Sequence, residues 1–89
     1  MDRFQRIFQL NRLLHAASTP VSRRRIEETL ECSRATVGRA IEDLRDFLGA
    51  PIRYDRALNG YYYDHQERPM YQLPGVWFDA EELYALLSA

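Results

Sequence analysis

The spacing of the apolar residues changes once along this chain, close to residue 50, and that change limits the folds open to it. Up to Leu48 the apolar residues recur at helical intervals, whereas after Pro51 they alternate with polar ones. Helical recurrence indicates amphipathic helices, and alternation indicates a half-buried strand. Gly49 and Pro51 lie between the two patterns and stop the helix. The chain is therefore predicted to be helical first and to continue into a short hairpin.

Three helices are predicted ahead of the hairpin. The first covers residues 2–17, and the second covers about 23–30 behind the capping residue Ser22. Ser33 caps the third, which runs over about 34–48. The apolar residues of this third helix fall on one face: Val37, Ile41, Leu44 and Leu48.

The hairpin is predicted over residues 52–64. Ile52 and Tyr54 are expected to point inward, and Asn59-Gly60 is expected to supply the positive φ angles of the turn. Val21, just ahead of the second helix, is a candidate for a third strand of one or two residues. The tyrosines of the hairpin are expected to serve mostly as core and cross-strand pairs.

Helix, helix, three-residue turn, helix and hairpin is the order of a winged helix-turn-helix, in which the hairpin is the wing. The predicted class is α+β, mainly α, with this DNA-binding domain in residues 1–64. Residues 65–89 are predicted to be a linker that ends in a C-terminal helix at Ala80–Ser88. Asp79 and Glu82 form the capping box of that helix.

The charge balance points in two directions. The net charge of −1 argues against a nucleic-acid partner. The distribution favours one, because residues 1–56 hold eleven arginines and eight acids, whereas residues 57–89 hold one arginine and five acids. All the cationic residues are arginine, whose planar fork suits phosphates and guanine edges.

On the third helix, Arg39 points away from the apolar face and is the best candidate for a base contact in the major groove. Small residues beside it, Ala35 and Gly38, would let the helix approach DNA closely. Three residues at the helix N-terminus are placed to meet a phosphate: Ser33, Arg34 and Thr36. A solvated helix face is the alternative.

Five further arginines are candidate DNA contacts. Arg23, Arg24 and Arg25 occupy the first turn of the second helix, where cations are unfavourable beside the helix dipole and bound phosphates would reverse that effect. Arg53 and Arg56 on the hairpin are candidates for a backbone or minor-groove contact. The alternative is that these five arginines are solvent-exposed charges on a helix end and a hairpin edge and do not contact DNA.

Nothing in the sequence indicates catalysis. No nucleophile–base set, phosphate loop or metal-ligand cluster is evident, so no enzyme activity, cofactor or metal is predicted. The lone Cys32 favours a buried, inert thiol in a reducing cytoplasm. No apolar run approaches the length of a membrane span.

The chain resembles the N-terminal domain of bacterial WYL-domain transcriptional regulators, of the DeoR-like winged-helix type. The resemblance covers nearly the whole chain: "MDRFQRIFQLNRLL", the pattern of Ser33, Thr36, Val37 and Arg39, then "LGAPI", "GYYYD" and the tail "YQLPGVWFDAEELYALLSA". It implies a dimeric, cytoplasmic regulator whose C-terminal domain, absent from these residues, senses an effector ligand. Ala40 departs from the family pattern, where Asp is usual. Glu31 stands where a turn glycine is common, and Glu27 where a small residue is.

Three functions therefore compete. The leading one is sequence-specific binding of double-stranded DNA for transcriptional control. The second is a winged-helix protein-interaction or dimerisation module that does not bind DNA. The third is the DNA-binding arm of a larger enzyme, as in biotin-ligase repressors. A homodimer is expected through the first and last helices, because the last helix carries an apolar edge: Leu83, Leu86 and Leu87.

Overall fold

Three helices and a two-stranded hairpin follow one another in the predicted order. The computed structural model describes residues 2–67, which form α1 (Arg3–Ala16), α2 (Arg23–Leu30), α3 (Arg34–Glu42), β1 (Ile52–Asp55) and β2 (Gly60–Tyr63). The predicted class, a mainly helical winged helix-turn-helix, is confirmed. Within residues 2–67, no helix combines the length and the apolar character that crossing a membrane requires. The predicted helix at Ala80–Ser88 lies outside the described residues.

The N-terminus of α1 is held by a reciprocal capping box. The Asp2 side chain accepts a hydrogen bond from the Gln5 backbone N–H at 2.9 Å, and the Gln5 side chain accepts one from the Asp2 backbone N–H at 3.0 Å. One face of the helix is buried and consists of Ile7, Leu10 and Leu14. The predicted bounds, 2–17, exceed the observed helix by one residue at each end.

The helix-turn-helix unit forms around two serine caps. Ser22 Oγ accepts from the Arg25 N–H at 3.2 Å, and Ser33 Oγ accepts from the Thr36 N–H at 3.2 Å, as predicted. Between the helices, Glu31 adopts a left-handed conformation with φ 52°. The family that this chain resembles often has glycine at this position. Glycine adopts the left-handed conformation without strain.

The third helix does not continue as an α-helix to residue 48, so that part of the prediction is wrong. After Glu42 it widens into a π-helical turn, Asp43–Phe47, in which the Leu48 N–H donates to the carbonyl of Asp43 at 3.3 Å. An ion pair anchors the first residue of this turn, since Arg3 Nε and Nη2 lie 3.0 and 3.1 Å from the Asp43 carboxylate oxygens. Gly49 follows with φ 69° and ends the helix.

The hairpin is antiparallel, with a register that runs from Ile52 opposite Tyr63 to Asp55 opposite Gly60. Val21 pairs with Tyr61 through two backbone hydrogen bonds of 2.8 Å, which confirms the predicted short third strand. β2 is thus the middle strand, and it ties the wing to the segment that leads into α2.

The turn of the hairpin corrects one prediction. Asn59 has a positive φ of 50°, as expected, but Gly60 does not. Gly60 is required for a different reason, which is close packing. A Cβ at this position would lie 2.8 Å from the carbonyl carbon of Pro20 and 2.9 Å from the backbone nitrogen of Val21.

The core lies between the three helices and the base of the hairpin. Its largest fully buried side chains come from the three helices and the π-helical turn: Ile7, Leu10, Leu14, Ile26, Leu30, Val37 and Leu44. The hairpin adds Ile52 and Tyr63, and the Tyr63 hydroxyl donates to Asn11 Oδ1 at 2.6 Å. Tyr54 was predicted to point inward but is 46% exposed, and it lies on β1, the outer strand.

Candidate nucleic-acid interface

One side of α3 is exposed and carries the residues predicted to face DNA. Arg34, Ala35, Gly38 and Arg39 are all exposed, and a Cβ added at Gly38 would have no atom within 4 Å. The side chains of Ser33 and Thr36 are 3.0 Å apart, so both are ordered at the start of the helix. Ala40 is buried in the core, so an apolar side chain suits this position. The family that this chain resembles usually has Asp here.

A cleft of about 350 Å³ lies between α3 and the start of α1. Arg39 lies on its α3 side, and Arg3 and Arg6 lie on its α1 side. The Arg3 charge is already balanced by Asp43. The sequence interpretation assigned no role to Arg3 or Arg6, because a helical pattern shows only that they lie opposite the apolar stripe of α1.

The three consecutive arginines of α2 do not form one patch. Arg23 is half-buried and turns toward the wing, where hydrogen bonding with Tyr61 raises the pKa of Arg23. Arg24 extends into solvent 4.0 Å from Glu28, and Arg25 is also exposed. Exposed ion pairs of this kind contribute little to the free energy of folding, so the Arg24 side chain can leave Glu28 at little cost to bind another group.

A second groove, of about 490 Å³, lies between α3 and the wing. It is lined by Arg23, Arg34, Ala35, Gly38, Ile41 and Tyr61. Sequence reasoning identified the two arginines as separate phosphate contacts. It expected the hairpin tyrosines mostly in core and cross-strand pairs, and Tyr61 does pack against the core and pair with Tyr54. Its place in this groove was not predicted. The alternation of β2 shows which face Tyr61 occupies but does not reveal that α2 lies beside that face.

The two arginines of the hairpin are placed differently. Arg53 lies on the face of the sheet opposite Tyr54 and Tyr61, and its Nη2 is 3.1 Å from Glu67 Oε2. Arg56 lies in the exposed turn between the strands. The structure therefore gives Arg53 an acidic partner within the chain and leaves Arg56 at the tip of the wing.

Two groups near the core have shifted pKa values. Burial raises the pKa of the Cys32 thiol, which packs against the core but is only partly buried. Burial and the nearby His65 lower the pKa of His15, whose ring meets the Tyr63 ring edge-on at 4.9 Å. Residues 2–67 contain no group of three or more acidic, His or Cys side chains that could hold a metal ion.

Two capped helices joined by a tight turn and followed by an antiparallel hairpin define a winged helix-turn-helix domain. The chain belongs to the family described as the HTH domain, which matches residues 6–62. Two curated relatives, from Escherichia coli and Serratia marcescens, carry the name "Probable tellurium resistance transcriptional regulator TerW".

Each of these relatives is 42% identical to the chain over 57 residues. The aligned segment covers 64% of this chain and 36% of each relative, so the chain spans about a third of the length of the curated relatives it matches. No solved structure matches the chain.

Proposed function

We propose that this chain is the sequence-specific DNA-binding domain of a bacterial transcriptional regulator. The observation that carries the proposal is the exposed face of α3, where Arg39 stands beside the small residues Ala35 and Gly38. A helix with such a face can enter the major groove, and an arginine there can bond guanine at two acceptors. The naming of the relatives as transcriptional regulators supports the same role.

In this proposal the remaining contacts fix the register on the duplex. Ser33, Arg34 and Thr36 meet the phosphate backbone at the N-terminus of α3, where free N–H groups favour anions. The α2 arginines and the two wing arginines add further backbone contacts: Arg23, Arg24, Arg25, Arg53 and Arg56. Phosphate contacts position a protein without reading sequence, so Arg39 carries the base readout.

The proposed whole regulator is a cytoplasmic homodimer. Helix-turn-helix proteins commonly read paired half-sites with two-fold symmetry. We place the dimer contact on α1 and the segment of residues 76–89, and an effector ligand in a C-terminal sensing domain of the WYL type. Sedimentation of residues 1–89 and 1–75 tests the contact. A monomer in both cases at high micromolar concentration would place the contact elsewhere.

The DNA-binding proposal is tested by selecting duplexes from a randomised pool and then measuring affinities for a selected and a scrambled duplex. Arg39→Ala should cost about 1–3 kcal/mol on the selected duplex and relax the preference at one base position. Arg12→Ala is the matched control, because Arg12 is an exposed arginine of α1 that borders neither cleft described above.

Two outcomes would change the assignment. Equal losses of affinity for the selected and scrambled duplexes would make Arg39 a phosphate contact and refute its base readout. Failure of the unmodified chain to bind any duplex at low salt would favour the alternative, a winged-helix protein-interaction module.

A further inference from the structure

The groove between α3 and the wing brings together two cationic side chains from different helices. Arg23 belongs to the first turn of α2, and Arg34 belongs to the first turn of α3. Among the described residues that line this groove, none is acidic. The cleft beside Arg39 differs, since it includes both Glu42 and Asp43. The groove at the wing is therefore the more suitable of the two for an anion.

The floor of this groove is made by small or apolar residues. Ala35 and Gly38 are exposed on the α3 side, and Ile41 is buried beneath them. A group that enters the groove can approach the helix backbone closely, because no long side chain stands in front of it. A phosphodiester at the edge of the major groove is small enough to fit over these residues, and its negative charge suits the two arginines.

Tyr61 is held rigidly on the opposite wall. Its backbone is paired on both sides, with Val21 through two hydrogen bonds of 2.8 Å and with Tyr54 across the hairpin. Its ring meets the Tyr54 ring at a centroid distance of 4.9 Å and an angle of 64°. The Tyr54 hydroxyl in turn donates to Asn59 Oδ1 at 3.3 Å.

The Tyr61 ring and the Arg23 side chain line the same groove, and hydrogen bonding with Tyr61 raises the pKa of Arg23. An arginine side chain loses rotamer entropy when a ligand orders it, and a partner that restrains it beforehand reduces that loss. Arg23 is half-buried, in contrast to the exposed Arg24 and Arg25 of the same turn. Of the three arginines, Arg23 is the one beside the wing, and it lines the groove that Arg34 also lines.

We propose that Tyr61 is a positioning residue, which holds Arg23 so that Arg23 and Arg34 together clamp one backbone phosphate of the bound duplex between α3 and the wing. The proposal rests on the DNA-binding function proposed above and adds a residue and a contact to it. The wing then acts through the orientation of an α2 side chain, in addition to any contact of its own with the duplex.

A double-mutant cycle tests the clamp. Affinities for a selected duplex are measured at several salt concentrations for the unmodified chain, Arg23→Ala, Tyr61→Phe and the double variant. Arg23→Ala should weaken binding about tenfold, the scale of one charged hydrogen-bonding contact, and should reduce the salt slope by about one. Tyr61→Phe should weaken binding by a smaller factor, and the double variant should bind no more weakly than Arg23→Ala alone.

Matched controls come from neighbouring positions. Tyr62→Phe removes a hydroxyl from the opposite face of the same strand, and Arg24→Ala removes a charge from the same turn of α2. The effects of Arg24→Ala and Tyr61→Phe should be additive. Arg23→Lys, which keeps the charge, should restore most of the salt slope. Thermal unfolding of Tyr61→Phe should match that of the unmodified chain, because phenylalanine keeps the ring contact with Tyr54.

The results separate the clamp from the function on which it rests. If Tyr61→Phe binds as tightly as Tyr62→Phe, or if its effect adds fully to that of Arg23→Ala, the clamp is refuted while DNA binding stands. If the unmodified chain binds no duplex, the proposed function fails, and the clamp fails with it.

Discussion

Gly38→Ala should stabilise this domain, and the expected size follows from the structure. Gly38 lies inside α3 with an ordinary helical φ, and an added Cβ would have no atom within 4 Å. Glycine in a helix interior costs roughly 0.5–1 kcal/mol relative to alanine, because it loses more backbone freedom on folding. With no clash to offset that gain, the free energy of unfolding should rise by about 0.5–1 kcal/mol.

The same methyl group should impair DNA binding, so stability and function should change in opposite directions. Gly38 lies on the exposed face of α3 and borders the groove that contains Arg23 and Arg34. A methyl group inserted into a close contact costs about 1–3 kcal/mol by overpacking. If the helix meets DNA along this face, affinity should therefore fall about fivefold or more for every duplex sequence.

Circular dichroism melting and fluorescence anisotropy measure the two effects. For a domain of this size, 1 kcal/mol shifts Tm by about 4–8 °C, so a rise of about 2–8 °C is expected. Ala35→Gly is the reciprocal control on the same exposed face, and its Tm should fall by a similar amount. An unchanged or lower Tm for Gly38→Ala would refute the packing argument. Unchanged affinity would show that this part of α3 does not approach DNA.

Three further variants probe the wing and its base. Gly60→Ala should lower the free energy of unfolding by about 1–3 kcal/mol in urea titrations, because the new Cβ would lie 2.8 Å from the Pro20 backbone. Tyr63→Phe should cost about 1 kcal/mol in the same assay, because it leaves Asn11 Oδ1 without its 2.6 Å donor. His15 has a pKa below its ordinary value of 6.5. The unfolded chain therefore binds more protons there, so Tm should fall as pH drops below about 6.5, and His15→Gln should reduce that dependence.

Each of these expectations has an outcome that contradicts it. A urea midpoint for Gly60→Ala equal to that of the unmodified chain would mean that the wing shifts to accept the methyl group. Tyr62→Phe is the control for Tyr63→Phe, and equal losses would remove the Asn11 hydrogen bond as the cause. A His15→Gln variant that keeps the full pH dependence of Tm would assign the effect to other groups.

The helices were predictable because their signals are local. Ser22 and Ser33 cap helices that begin within a residue of the predicted positions, and the apolar intervals identify the buried faces. The π-helical turn at Asp43–Phe47 was not predictable from the same signals. Leu44 and Leu48 fit a continuous α-helix equally well, and the partner of Asp43 is Arg3, forty positions earlier in the chain.

The candidate site was predictable residue by residue but not as an assembly. The exposed face of α3 follows from the periodicity, since a residue opposite the buried face must face outward. Which arginines share a groove depends on how the wing docks beside α2, and Gly60 allows that docking by leaving room for Pro20. The cross-strand pair of Tyr61 with Tyr54 was predictable, but the position of Tyr61 in the groove and the ion pair between Arg53 and Glu67 were not.

The order of the strands also has a consequence for solubility. Within residues 2–67, β2 is paired on both sides, so β1 is left with one edge that no other strand covers. Open edges can join copies of a protein into aggregates, and short, charged strands resist that joining. β1 has four residues, of which Arg53 and Asp55 are charged, and Pro51 precedes it without an N–H to offer. The Arg53 charge on this open strand therefore disfavours edge-to-edge pairing between the wings of neighbouring copies, a role that does not depend on any ligand.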